Sequence, residues 1–99
     1  MQSDTDSQSS QQPDVPAKVR MYTTRSCPYC MAARSLLSDK GVAFLDIAVD
    51  SKPELRAEMT RISGERTVPQ IWVGETHVGG YTELAALERG GDLDLLLDA

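Results

Sequence analysis

The segment Val19-Arg20-Met21-Tyr22-Thr23-Thr24-Arg25-Ser26-Cys27-Pro28-Tyr29-Cys30-Met31-Ala32-Ala33-Arg34-Ser35-Leu36-Leu37 passes from strand to helix through two cysteines. Val19, Met21 and Thr23 alternate with Arg20 and Tyr22, the period of a strand. Ala33, Leu36 and Leu37 are spaced as the apolar stripe of a helix. Cys27 therefore falls at a helix N-terminus, where unpaired N–H groups and the positive end of the dipole favour an anion. That environment stabilises the thiolate, which is the nucleophilic form of cysteine. Pro28, at the first helical position, loses no hydrogen bond that would otherwise form. Cys30 is three residues on, shares the helical face, and can close a disulfide with Cys27.

Redox chemistry is the preferred reading of this pair, with two others beside it. A structural staple normally closes a longer loop than four residues. A zinc site normally takes four ligands, and the chain offers two Cys and one distant His, His77. No metal is expected.

The 99 residues suit one domain with a modest core. A hydrophobic content of 40% and a charged content of 25% are ordinary for globular chains. The net charge of -5 leaves no basic footprint, so neither nucleic acid nor an anionic membrane is an expected partner. No apolar run approaches the roughly 20 residues of a spanning helix. Residues 1–16 are rich in Ser, Gln and Asp, and they lack the basic start and apolar middle of a secretory signal. They are expected to be a disordered tail ahead of a domain over 17–99. A cytoplasmic location is expected, where a C-x-x-C is kept reduced between turnovers. A monomer is expected.

Outward from the first strand and helix, Gly41 suits a helix end. Val42–Val49 is a mostly apolar run that reads as a buried strand parallel to the first. Ser51 and Glu54 have the spacing of a capping box, with Pro53 in the first turn of the helix that follows. Leu55, Met59 and Ile62 form that helix's apolar stripe, and Gly64 ends it. Thr67–Val73 is a third strand with its approach, Gly74-Glu75 a tight turn, and Thr76–Val78 a short antiparallel fourth strand. A last helix runs from Tyr81 to Arg89, and Gly90-Gly91 separates it from a final turn with Leu93, Leu95, Leu96 and Leu97. The order is β-α-β-α-β-β-α, an α/β chain with a mixed four-stranded sheet and helices on both faces.

Four features join the cysteines as candidate site elements. Pro69 stands at the start of an apolar strand, where it removes a ladder donor. It is either the first residue of an edge strand or a cis-proline that turns the backbone of Val68 toward a ligand. Gly79-Gly80 before Tyr81-Thr82 is either an anion site at a helix N-terminus or an ordinary turn with Thr82 as the cap. Arg25 and Arg66 are candidate carboxylate clamps, or solvated surface arginines. Tyr29 either lies against a ligand or shields the sulfur. His77 reads as a surface residue, neither base nor ligand.

Tyr22-Thr23, Cys27-Pro28-Tyr29-Cys30, Thr67-Val68-Pro69-Gln70-Ile71 and Gly79-Gly80-Tyr81-Thr82-Glu83-Leu84 together resemble a bacterial dithiol glutaredoxin. The resemblance covers residues 18–98 or so, and with it comes the expectation of a thioredoxin-like fold. It implies a glutathione-dependent thiol–disulfide oxidoreductase acting on disulfide-containing or glutathionylated proteins. Oxidised glutathione would then pass to glutathione reductase. Cys27 would be the nucleophile and Cys30 the resolving thiol. The backbone of Val68, in the Thr67-Val68-Pro69 motif, would pair with the cysteinyl part of glutathione. Tyr29 and Arg66 would lie along its glycine end. Gly80, Tyr81 and Thr82 would hold the γ-glutamyl carboxylate. Thr24 stands where the family often has Lys, with Arg25 one residue later. Thr82 stands where many members have Asp, so it offers no carboxylate to the glutathione amine. Two further readings are a glutathione-ligated iron–sulfur carrier and a thioredoxin-like partner of a flavoprotein. Pro28-Tyr29 crowding weighs against the first, and the missing W-C-G-P-C against the second.

Overall fold

The computed structural model describes residues 18–98. The tail expected over 1–16 and the domain start at residue 17 lie outside the described residues. In chain order the elements are β1 (Val19–Thr23), α1 (Pro28–Asp39), β2 (Phe44–Ala48), α2 (Pro53–Ser63), β3 (Gln70–Val73), β4 (Thr76–Gly79), α3 (Tyr81–Gly90) and α4 (Asp92–Asp98). The sheet order is β2-β1-β3-β4. β1 pairs in parallel with β2, Val19 opposite Phe44 through Thr23 opposite Ala48. β3 is antiparallel to β1 and to β4. This is the expected mixed four-stranded sheet with helices on both faces.

Strand alternation sends successive side chains to opposite faces. Val19 and Met21 of β1 and Ile71 and Val73 of β3 meet Ala33 and Leu37 of α1, Leu84 of α3 and Leu93 of α4 in one core. Tyr22 and Trp72, one position off, meet Val49 and Met59 on the face that α2 covers. The Tyr22 and Trp72 rings meet edge to face, with centroids 5.5 Å apart. The final turn expected after Gly91 is a seven-residue helix, α4, whose Leu93 is fully buried.

Three local expectations are corrected. The run Val42–Val49 is not a buried strand: only Phe44–Ala48 joins the ladder, and it does so at the sheet edge, where Asp46 is exposed. Its fully covered residue is Val49, just past the ladder, under α2. The capping box at Ser51 and Glu54 does not form. Ser51 takes a left-handed φ of 58°, Lys52 becomes the N-cap, and no side chain caps α2. A turn closed by the Lys52 N–H donating to the Val49 carbonyl at 3.1 Å sets that entry instead. Thr82 is not a cap either. Gly80 is the N-cap of α3, and its N–H donates to the Glu83 carboxylate at 2.9 Å.

Gly64 and Gly91 end α2 and α3 with φ of 78° and 80°, the left-handed conformation a helix end takes at low cost only with glycine. Among the described residues no helix is long and apolar enough to cross a membrane.

Leu37 is fully buried, whereas Ile62, on the expected stripe of α2, is 38% exposed. Leu37→Ala should therefore cost about 2–5 kcal/mol, through lost burial and a residual cavity. Ile62→Ala should cost well under half as much. Urea midpoints of the two variants against the parent check this ordering.

Candidate active site at the start of the first long helix

The site is built where β1 ends and α1 begins. Cys27 is the N-cap of α1, with extended backbone (φ -80°, ψ 120°), and Pro28 opens the helix. The first helical bond runs from the Met31 N–H to the Cys27 carbonyl at 3.1 Å. Cys27 is partly exposed and Cys30, one turn in, is fully buried. Two residues of one four-residue motif thus sit in opposite solvent environments.

That difference separates their acidities. At Cys27 partial burial opposes ionisation, but the opposing interactions outweigh it. The Cys30 N–H and thiol, the Tyr29 N–H and the Arg34 charge all favour the thiolate, and the thiol lies below its ordinary value. At Cys30 burial dominates. Hydrogen bonding with Cys27 and the Cys27 charge add to it, and the thiol is pushed up to about 11. The Thr24 N–H and Arg34 act in the other direction without overcoming the rise.

Arg34 was not legible as a site residue, although its spacing carried a signal. It lies four residues after Cys30 and seven after Cys27, on the same face of α1. Its Nε donates to Asp46 Oδ2 at 2.6 Å, and its Nη2 to Thr23 Oγ1 at 3.0 Å and the Thr24 carbonyl at 3.4 Å. The Thr23 hydroxyl donates to Asp46 Oδ1 at 2.6 Å. A buried threonine at the end of β1 and a carboxylate of β2 thus hold a guanidinium under the cysteine pair.

The second wall comes from the approach to β3. The Val68–Pro69 peptide bond is cis. Pro69 is not on an edge strand, because β3 lies between β1 and β4. It precedes the first ladder residue, Gln70, so its missing N–H breaks no ladder bond. The Val68 carbonyl faces Cys27, with the thiol donating across 3.7 Å.

The third wall is the turn into α3. Gly79 has φ 114°, and a Cβ there would meet the Glu83 carboxylate at 3.1 Å. A Cβ on Gly80 would lie 3.4 Å from the Pro69 carbonyl. The paired glycines thus let the start of α3 lie close against the proline loop.

Between these walls lies a groove of 190 Å³, lined by Tyr29, by Thr67, Val68 and Pro69, and by Gly80, Tyr81, Thr82 and Glu83. Tyr29 is 62% exposed. The structure therefore brings Tyr29 together with residues 38 to 54 positions further along the chain, from Thr67 to Glu83. Arg25 and Arg66 are not among the lining residues. Arg25 is exposed, with its backbone N–H bonded to both Asp50 carboxylate oxygens at 3.1 Å. Arg66 is exposed, and its carbonyl accepts from Arg56 Nη1 at 3.1 Å. His77 is exposed but not idle: its Nε2 lies 2.8 Å from Gln70 Oε1.

A family model described as Glutaredoxin matches residues 19–78. The chain belongs to the glutaredoxin family. It is 63% identical over 81 residues to a glutaredoxin of Pseudomonas aeruginosa, covering 82% of this chain and 96% of that one. It is 47% identical over 81 residues to glutaredoxin 3 of Escherichia coli, covering 82% and 98%. Among solved structures it is similar to a glutaredoxin from Brucella melitensis, with 51% identity, a TM-score of 0.73 and coverage of 82% and 88%. It is also similar to a buckwheat glutaredoxin–glutathione complex, with 25% identity, a TM-score of 0.77 and coverage of 82% and 76%. The fold is the thioredoxin-like fold of these neighbours.

The separated acidities predict the pH dependence of alkylation. The thiolate is the reactive form, so the iodoacetamide rate at Cys27 should fall as pH drops through a midpoint below that of an ordinary thiol. In Cys27→Ser the remaining thiol, Cys30, should react only well above the ordinary range, because burial persists. Arg34→Gln should move the Cys27 midpoint upward. Stopped-time alkylation followed by mass spectrometry measures all three.

Proposed function

We propose that this glutaredoxin, a glutathione-dependent thiol–disulfide oxidoreductase, works through Cys27 as nucleophile and Cys30 as resolving thiol. The observation that carries the assignment is the contrast within the motif: a low-lying, partly exposed thiol beside a buried one pushed up to about 11.

In the one-thiol route the Cys27 thiolate attacks the glutathione sulfur of a glutathionylated protein. The mixed disulfide breaks, the protein thiolate leaves and takes a proton, and Cys27 is joined to glutathione. A second glutathione thiolate attacks the bound glutathione sulfur, releasing oxidised glutathione and the Cys27 thiolate. In the two-thiol route Cys27 attacks a protein disulfide and Cys30 then attacks the Cys27 sulfur, expelling the protein thiol. Once Cys27 is in a mixed disulfide its negative charge is gone, and one cause of the raised Cys30 pKa goes with it. The buried thiol becomes easier to ionise when it is needed. Two glutathiones then reduce the Cys27–Cys30 disulfide.

Glutathione is placed in the 190 Å³ groove. In this reading the Val68 backbone pairs with its cysteinyl part and Tyr29 lies along its glycine end. The start of α3, at Gly80, Tyr81 and Thr82, receives the γ-glutamyl carboxylate. Thr67 and Pro69 complete the loop. Arg25 and Arg66 contribute as exposed charges on the segments leading into Cys27 and Thr67. A neighbour solved as a glutathione complex supports glutathione as the co-substrate. The family placement favours the oxidoreductase over the iron–sulfur carrier. In this reading the protein is a monomer that acts on glutathionylated or disulfide-containing proteins. Turnover against glutathione suits the reducing thiol pool of the cytoplasm.

Cys27→Ser should reduce turnover of a glutathione mixed disulfide, coupled to glutathione reductase, to background. Cys30→Ser should retain it while losing reduction of protein disulfides. Equal loss of both activities in the two variants would overturn the one-thiol route.

A further inference from the structure

Gln70, the first residue of β3, is a buried polar side chain, 2% exposed, with both ends of its amide in use. Its Nε2 donates to the Thr67 carbonyl at 3.0 Å and to Thr67 Oγ1 at 3.2 Å. Its Oε1 lies 2.8 Å from His77 Nε2. A main-chain carbonyl only accepts, so the amide nitrogen must face Thr67. Gln70 Oε1 then accepts from His77, which must carry a proton on Nε2. The His77 ring rests against the Trp72 ring, with centroids 4.7 Å apart. Trp72 is itself held by Tyr22 and by the Arg20 guanidinium 5.8 Å over its ring. A run of contacts leads from the sheet through His77 and Gln70 to Thr67.

Apolar packing holds the loop only at its far end, where Val68 packs against the cluster of Tyr22, Val49, Met59 and Trp72 and Pro69 is buried. Glu65, Arg66 and Thr67 are all exposed, and a second cavity of 260 Å³ opens between Thr67, Gln70 and His77. Short of Val68 the loop is tethered by hydrogen bonds: those between Ser63 and Glu65, the exposed bond from Arg56 to the Arg66 carbonyl, and the sheltered pair from Gln70 to Thr67. Thr67 directly precedes Val68, whose carbonyl faces the Cys27 sulfur.

We propose that Gln70, oriented by His77, is a positioning residue that holds Thr67 and so presents the Val68 backbone to glutathione beside Cys27. The proposal rests on the glutathione reading of the groove given above. Gln70 neither lines the groove nor bonds to the sulfur; it acts through Thr67, which does line the groove, so its effect is on binding and not on the thiolate.

The test compares Gln70→Met, His77→Phe and His77→Gln with the parent, in the full chain. Gln70→Met keeps the length and removes both donors. His77→Phe, at an exposed position, keeps a ring against Trp72 and removes the Nε2–H. His77→Gln returns an N–H donor. KM for a glutathione mixed disulfide should rise about three- to tenfold in Gln70→Met, the scale of one or two lost hydrogen bonds. It should rise less in His77→Phe and return toward the parent in His77→Gln. The turnover number and the pH midpoint of Cys27 alkylation should stay within twofold and within error. Amide hydrogen exchange at Thr67 and Val68 should quicken in the same order. Unchanged KM or unchanged exchange in the folded Gln70→Met variant overturns the proposal, as does a His77→Gln variant as impaired as His77→Phe. If Gln70→Met does not fold, the two His77 variants decide. Absence of glutathione turnover in the parent would sink the glutathione reading, and exchange at Thr67 and Val68 would still decide whether Gln70 holds the loop.

Discussion

The free N–H groups at the start of α1 are the constraint on which the site depends. They favour negative charge at the place where Cys27 caps the helix, and they do so only because the helix begins there and nowhere earlier. Pro28 secures that start. The same helix then carries Cys30 into the core and Arg34 beneath the pair. One element therefore sets a reactive thiol, a reserved thiol and a compensating charge, with the burial of Ala33 and Leu37 holding all three in register against the sheet.

The sheet supplies what a helix alone lacks. β1 delivers Thr23 to the floor of the site, and β2 delivers Asp46, which ties Arg34 down at 2.6 Å. This ion pair is about one-third exposed, so its direct stabilisation is small. Its consequence is positional: a guanidinium bonded to Asp46, Thr23 and the Thr24 carbonyl is fixed near both sulfurs. From the other side β3 brings the Val68–Pro69 loop to Cys27, and α3 starts close to Pro69 because the glycines before it carry no Cβ. The groove is the space left where three independently held chain segments converge.

Much of this was legible in the residues because it rests on local rules. The start of α1, the antiparallel β3–β4 pair, the glycine stops after α2 and α3 and the redox character of Cys27 and Cys30 all follow from short-range periodicity and turn chemistry. The errors also have a local cause. Val42–Val49 has the apolar content of a central strand, and only the sheet order reveals that β2 is an edge. Ser51 and Glu54 have capping-box spacing, but a left-handed Ser51 removes the geometry the box needs. Thr82 looked like a cap, and the cap position belongs to Gly80 with Glu83 as its acceptor.

The sequence by itself determined where the helix would start, which cysteine would stand at its N-terminus, and that a proline and two glycines would border the site. Those are properties of residues within one or two turns of each other. Tertiary structure alone decided that Arg34 and Asp46 meet under the thiols, that Arg25 and Arg66 stay outside the groove, and that Gln70 and His77 reach Thr67. Strand order and register bring Arg34 to Asp46 and Gln70 to His77, pairs 12 and 7 positions apart on different elements, and the path of the loop into β3 brings Thr67 back to Gln70. Hydrogen-bond partners chosen across a sheet leave no periodic trace in the chain, so the residues that tune and hold the site were the least visible in it.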